Sequence, residues 1–119
     1  MKVLVTSQGE SLNSPVDPRF GRAKTFIVMD LDTGEYQAVS NTPNVNATQG
    51  AGIQSGRLAL DLNVDAVVTG HVGPKAFATL LAAKIDIYTG AEGTVEETLQ
   101  AYRDGRLKKA SSPDVEGHW

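Results

Sequence analysis

Apolar residues along this chain follow two periods, and the change from one to the other divides it into strands and helices. Val3-Leu4-Val5 is a continuous apolar run closed by Thr6, Ser7 and Gln8, the pattern of a central strand covered on both faces, and it predicts a first strand over residues 2–7. Phe26-Ile27-Val28-Met29 and Tyr36-Gln37-Ala38-Val39 flank Asp32-Thr33-Gly34, which predicts an antiparallel hairpin with a short glycine-containing turn. Ala66-Val67-Val68 and Ile85-Asp86-Ile87-Tyr88 predict two more strands. Between them the period becomes helical. Ile53, Gly56 and Leu60 share one face of a segment that opens at Gly50-Ala51-Gly52 and runs to about Leu62. Phe77, Leu80 and Leu81 form the expected inward face of a second helix, with Pro74 in the first helical position. Val95, Leu99 and Tyr102 line a third, which starts at a Thr94/Glu97 capping box and stops at Gly105.

Residues 8–22 hold Gly9, Asn13, Ser14, Pro15, Pro18 and Gly21 without periodicity, and a loop of that length in a compact domain is usually functional or disordered. Residues 41–49 read as a polar connection. Residues 1–107 are expected to form one domain, and 108–119, ending in His118 and Trp119, a flexible tail. The order β-β-β-α-β-α-β-α predicts an α/β fold, a meander followed by two right-handed crossovers, with a mixed five-stranded sheet and three helices on its faces. Strands one, three, four and five then point the same way. Four segments share their carboxyl edge: the loop at 8–22, the glycines opening the first helix, the turn at Gly70-His71-Val72-Gly73, and Gly90 to Thr94.

Ligands of such sheets bind at this edge, where helix N-termini present N–H groups and the positive end of the helix dipole. Arg19, Arg22 and Lys24 lie within one stretch of six residues at the end of the long loop and just after it and can add positive charge to the same edge. An anion pocket is the expectation there, although the glycines also serve simply as helix caps and turn residues. His71, placed directly before a helix, is the candidate to coordinate a soft metal or donate to sulfide, against the alternative of a satisfied turn histidine. Phe20 is expected to anchor the loop, with a secondary chance of walling the pocket.

Composition narrows the chemistry. The 119 residues suffice for one ordinary core, and the absence of cysteine excludes disulfides, thiolate zinc sites, cysteine-ligated iron-sulfur clusters and cysteine nucleophiles. A net charge of −3 argues against nucleic acid as a partner. The apolar run at the N-terminus is too short for a secretion signal or a membrane span, which leaves a cytoplasmic location and no membrane partner as the expectation. Gly50-Ala51-Gly52-Ile53-Gln54-Ser55-Gly56 misplaces the third glycine of a dinucleotide fingerprint, and there is no P-loop Gly-Lys-Ser/Thr. Asp17, Asp30, Asp65 and Asp86 are scattered rather than paired for metal-dependent hydrolysis, and no nucleophile-base-acid set stands out. No enzyme is expected.

Four motifs in order carry a resemblance: Pro18-Arg19-Phe20-Gly21-Arg22-Ala23, Gly50-Ala51-Gly52, Gly70-His71-Val72-Gly73-Pro74-Lys75-Ala76, and Tyr88-Thr89-Gly90 leading to Thr94-Val95-Glu96-Glu97. Together they resemble the dinitrogenase iron-molybdenum cofactor-binding family, to about Leu107. The resemblance implies a ribonuclease H-like three-layer fold without nuclease activity, and the binding or carriage of metal-sulfur clusters. For cysteine-free, stand-alone members it implies a molybdenum-copper sulfide cluster held noncovalently, or another molybdenum or iron-sulfur cluster. Carried onto this chain, the binding residues are Arg19, Phe20, Gly21, Arg22, Gly50, Gly52, Gly70, His71, Gly73 and Lys75, with His71 the candidate metal ligand. Several relatives have histidine where this chain has Arg19, which favours charge pairing from that loop. An ATPase or cofactor-assembly proteins are the implied partners of a monomer. The competing expectation is a regulatory module that binds a nucleotide or phosphate and partners an ATPase.

Overall fold

The computed structural model describes residues 1–45 and 50–114; the expectations for His118 and Trp119 lie outside them. Strand β1 (Lys2–Ser7) occupies the middle of a mixed sheet. On one side it pairs antiparallel with β2 (Thr25–Asp30), which pairs antiparallel with the edge strand β3 (Tyr36–Ser40). A four-residue helix α1 (Thr42–Val45) and the longer α2 (Ala51–Asp61) lead to β4 (Ala66–Val68), which lies parallel to β1. Helix α3 (Pro74–Ala82) connects β4 to the parallel strand β5 (Asp86–Thr89). Helix α4 (Val95–Arg103) and β6 (Lys108–Lys109), antiparallel to β5, follow.

The continuous apolar run of β1 is explained by burial on both faces. Leu4 faces a core with Phe20, Phe26, Val28, Val67, Phe77, Leu80 and Ile87, on the side of α2 and α3. Val3 and Val5 face the other, with Ile27, Met29, Ala66, Val68, Val95 and Leu99, on the side of α4. Val3, Leu4 and Val5 are wholly buried, and burial of that kind is worth about 1.5–3 kcal/mol per side chain. The sheet is thus the middle of three layers, with the carboxyl ends of β1, β4 and β5 on one edge.

Three expectations need correction. Among the described residues the sheet has six strands rather than five, because Lys108 and Lys109, assigned to a tail, pair with Thr89 and Tyr88. The described residues contain four helices rather than three, α1 falling in the polar connection, where residues with weak periodicity still close one turn. Leu60 and Leu81 point outward, at 49% and 60% exposure. The buried stripes are Ser55, Gly56 and Ala59 on α2, and Ala76, Phe77 and Leu80 on α3. The helices cross so closely that a Cβ on Gly56 would stand 2.7 Å from Thr79 Cγ2. Small residues make that contact, and a hydrophobicity pattern does not register them.

Candidate functional site

The long loop divides into two halves with different attachments. Its first half is stitched to the start of α4: Val16 donates its N–H to Gly93 O (2.9 Å), while Ser14 O and Leu12 O accept from the N–H groups of Val95 (3.0 Å) and Glu96 (2.9 Å). The capping box closes what remains, with Glu97 N donating to Thr94 Oγ1 and Thr94 N donating to Glu97 Oε1, both at 3.1 Å. Glu96 and Glu97 add two carboxylates to that first turn. This N-terminus is therefore closed to an anion, and the expected convergence of four segments reduces to three.

The second half of the loop, residues 18–22, lies against the starts of α2 and α3. Arg19 pairs with His71 in a parallel bridge: His71 N donates to Pro18 O (2.7 Å) and Phe20 N to His71 O (3.2 Å). Glycines permit the approach. A Cβ on Gly70 would stand 2.7 Å from Pro18 Cα, one on Gly21 3.1 Å from Gly52 Cα, and one on Gly52 3.1 Å from Ala76 Cβ. Gly21 and Gly70 bring backbone against backbone and Gly52 admits the Ala76 methyl, so all three glycines hold protein segments together at this edge. Phe20 is 1% exposed and stacks on Phe26 with ring centroids 5.5 Å apart, so it anchors the loop. Buried Asn41 ties the same segment to α2, donating to Ala23 O (2.8 Å) and Ser55 Oγ (3.1 Å).

The two helix starts held there differ from that of α4. The N-cap of α2 is Gly50 in the left-handed region (φ 77°) and that of α3 is extended Gly73, followed by Pro74. Neither has a side-chain cap among the described residues, and neither first turn carries an acidic residue. Lys75 is exposed in the first turn of α3. Both helices thus offer N–H groups and a positive dipole end beside the basic loop.

Two carboxylates missed as site residues modify the charge. Asp17, 6% exposed, accepts from the N–H of Arg19 (2.9 Å) and sits 3.9 Å from its Nε, in a cleft of about 440 Å³ lined with Gln8, Pro18, Arg19 and Lys24. Burial pushes the Asp17 carboxyl above the usual range, against the pull of the Arg19 N–H and of the Arg19 and Lys24 charges. A carboxyl raised by folding contributes stability below its unfolded pKa and loses it as pH rises through the folded value. Asp17→Asn removes that dependence. In denaturant titrations the stability of the parent relative to D17N is expected to fall as pH rises through and above the ordinary carboxylate range. The second carboxylate, Asp114, reaches His71: its Oδ2 is 3.0 Å from Nδ1, and its Oδ1 accepts from Val72 N at 2.8 Å. Asp17 was visible only as one of several scattered acids, and Asp114 lay in the presumed tail.

The described residues contain no group of three or more His, Asp or Glu side chains able to hold a metal ion. Among the described residues, this edge offers backbone N–H groups, exposed cations and the His71 imidazole. The chain matches the dinitrogenase iron-molybdenum cofactor family over residues 1–105. The chain belongs to that family. Among solved structures it is similar to the apo form of the orange protein from Desulfovibrio gigas, at 36% identity over 96% of both chains with a TM-score of 0.94. A Thermotoga protein described as a candidate NifB protein shares 34% identity over 98% of both chains, with a TM-score of 0.85. An uncharacterised protein of Methanocaldococcus jannaschii is 28% identical over 100 residues, 82% of this chain and 84% of the relative. The name of the matched family points to an iron-molybdenum cofactor. No helix among the described residues is long and apolar enough to cross a membrane.

Proposed function

We propose that this family member binds and carries a preformed, anionic, molybdenum-containing metal-sulfur cluster noncovalently, on a ribonuclease H-like arrangement of sheet and helices. The observation that carries the reading is the Arg19–His71 pairing, which holds a basic loop against two helix starts without side-chain caps. Inorganic sulfide supplies most or all of the cluster's ligands, since the chain has no cysteine. Arg19, Arg22 and Lys75 balance its charge, N–H groups near Gly50, Gly52 and Gly73 donate to sulfide, and His71 donates to sulfide or ligates a metal. By resemblance the cargo is a molybdenum-copper sulfide cluster, received as a monomer in the cytoplasm from, or passed to, cofactor-assembly proteins or an ATPase. Neither nucleic acid nor a membrane is a proposed partner.

The test is to add tetrathiomolybdate and copper(I) to the apo chain and desalt it. The expected product is coloured, with a charge-transfer band in the visible and molybdenum and copper in fixed ratio to protein. Circular dichroism should find the apo chain already folded, because its cores include no metal ligand. A colourless product would count against the reading. Uncapped helix starts also suit phosphate, so a colourless chain whose melting temperature rises with ATP would favour the regulatory module.

A further inference from the structure

Asp114 does more at the turn than tie down the end of the chain. Its N–H donates to Val72 O at 3.1 Å, its Oδ1 accepts from Val72 N at 2.8 Å, and its Oδ2 lies 3.0 Å from His71 Nδ1. Three contacts, two of them made by the carboxylate, thus fix Asp114 against two consecutive residues just before α3. A carboxylate only accepts, so in the neutral imidazole the proton belongs on Nδ1 and the lone pair on Nε2. A carboxylate behind a ligating imidazole fixes the ring's tautomer and orientation and raises the basicity of the outer nitrogen.

We propose that Asp114 is a positioning residue for the cargo site: it holds His71 as the Nδ1–H tautomer, so that Nε2 is the atom presented to a soft metal at the edge of the cluster. This rests on the cluster-binding reading above. It adds that a segment outside the family match at residues 1–105 completes the site, with His71 Nε2 as the atom through which copper(I) is held.

Asp114→Asn separates the two functions of the carboxylate. An asparagine has one side-chain acceptor, and with that oxygen on Val72 N–H its NH2 group faces Nδ1. The ring then carries its proton on Nε2, the wrong tautomer for the proposed ligation, while the C-terminal segment stays attached. An Asp→Asn change beside a histidine acts in this way in the serine-protease triad. Asp114→Glu keeps the charge and tests partial rescue.

Two measurements decide the matter. The 15N shifts of the neutral His71 ring in the apo chain should show a pyridine-type Nε2 in the parent and a pyridine-type Nδ1 in D114N. Competition with a copper(I) chelator should show about 10–100-fold weaker copper(I) binding in D114N, as for other partners of ligating histidines, with recovery in D114E and equal or greater loss in H71A. A pyridine-type Nδ1 in the parent would overturn the proposal. So would undiminished copper(I) affinity in D114N while H71A loses it, a result that leaves the cluster site standing. Tighter cluster binding in D114N would mean that the carboxylate is displaced by the cargo, and would overturn it equally. If H71A binds both copper(I) and the tetrathiomolybdate-copper product as the parent does, His71 is no part of the site and the proposal falls with that assignment.

Discussion

Replacing Arg19 and Arg22 together by serine is expected to weaken retention of a tetrathiomolybdate-copper cluster by roughly 30-fold while leaving the fold intact. A unit charge about 4 Å from another in water-like dielectric is worth about 1 kcal/mol, and losing two such contacts with a multiply charged anion gives an effect of that order. The Arg19 side chain is half-exposed, so its removal opens no core cavity. The two arginines are not equivalent. Asp17 already lies 3.9 Å from Arg19 Nε and accepts from its N–H, so part of that cation's field is spent within the loop. R22S alone should therefore cost more retention than R19S alone. In the parent, raising salt from low ionic strength to above 0.15 M should speed release, because exposed charges are screened over about 8 Å there. Desalting followed by metal analysis reads the result. Unchanged release in the double variant, or release insensitive to salt, would place the cluster away from this loop.

Gly70→Ala should be the most damaging single methyl group at the site. Its Cβ would meet Pro18 Cα at 2.7 Å and Pro18 O at 2.8 Å, and backbone cannot swing aside as a long side chain can. Overpacking of this kind costs about 1–3 kcal/mol, which for a chain of this size lowers the melting temperature by about 4–12 °C. Relief comes from moving Pro18 and Arg19 off His71, so cluster retention should fall with stability. Gly34→Ala is the comparison. Gly34 has φ 78° with nothing within 4 Å of a Cβ, so alanine there costs about 1 kcal/mol of conformational strain at a hairpin turn remote from the loop, and retention should hold. Thermal melts and release rates of the two variants give the answer: equal loss of retention in both, or none in G70A, would show that the loop-turn contact does not shape the site.

Much of the fold is written locally. Val3-Leu4-Val5 announces a doubly covered strand, Asp32-Thr33-Gly34 a hairpin, and Thr94 with Glu97 a capping box that the structure closes at 3.1 Å on both sides. Periods and caps report such elements because their determinants lie within a few residues of one another. The order of the elements likewise sufficed for the parallel edge formed by β1, β4 and β5. The inward faces of α2 and α3 were legible in part: Gly56, Phe77 and Leu80 are buried as the pattern predicts, but the limits of each face were not, since Gly56 against Thr79 and Gly52 against Ala76 set the phase through contacts between segments distant in sequence. Leu60 and Leu81 were misplaced for that reason.

At the candidate site the chain alone named the basic loop, the glycines and His71, but not what each one does. Whether a glycine clears space for a ligand or for backbone depends on what stands opposite. For Gly70 that is Pro18 and for Gly21 it is Gly52, partners that no local pattern encodes. Only the folded chain decided that the start of α4 is closed by its own cap and by Leu12 and Ser14, and that the starts of α2 and α3 have no side-chain cap among the described residues. It also decided that Asp17 and Asp114, acids without period or motif, lie against Arg19 and His71. A single carboxylate in a loop carries no signal of its partner, because the Coulomb and hydrogen-bond terms that give it a role depend on distance in space, and that distance is set by the packing of the whole sheet and its helices.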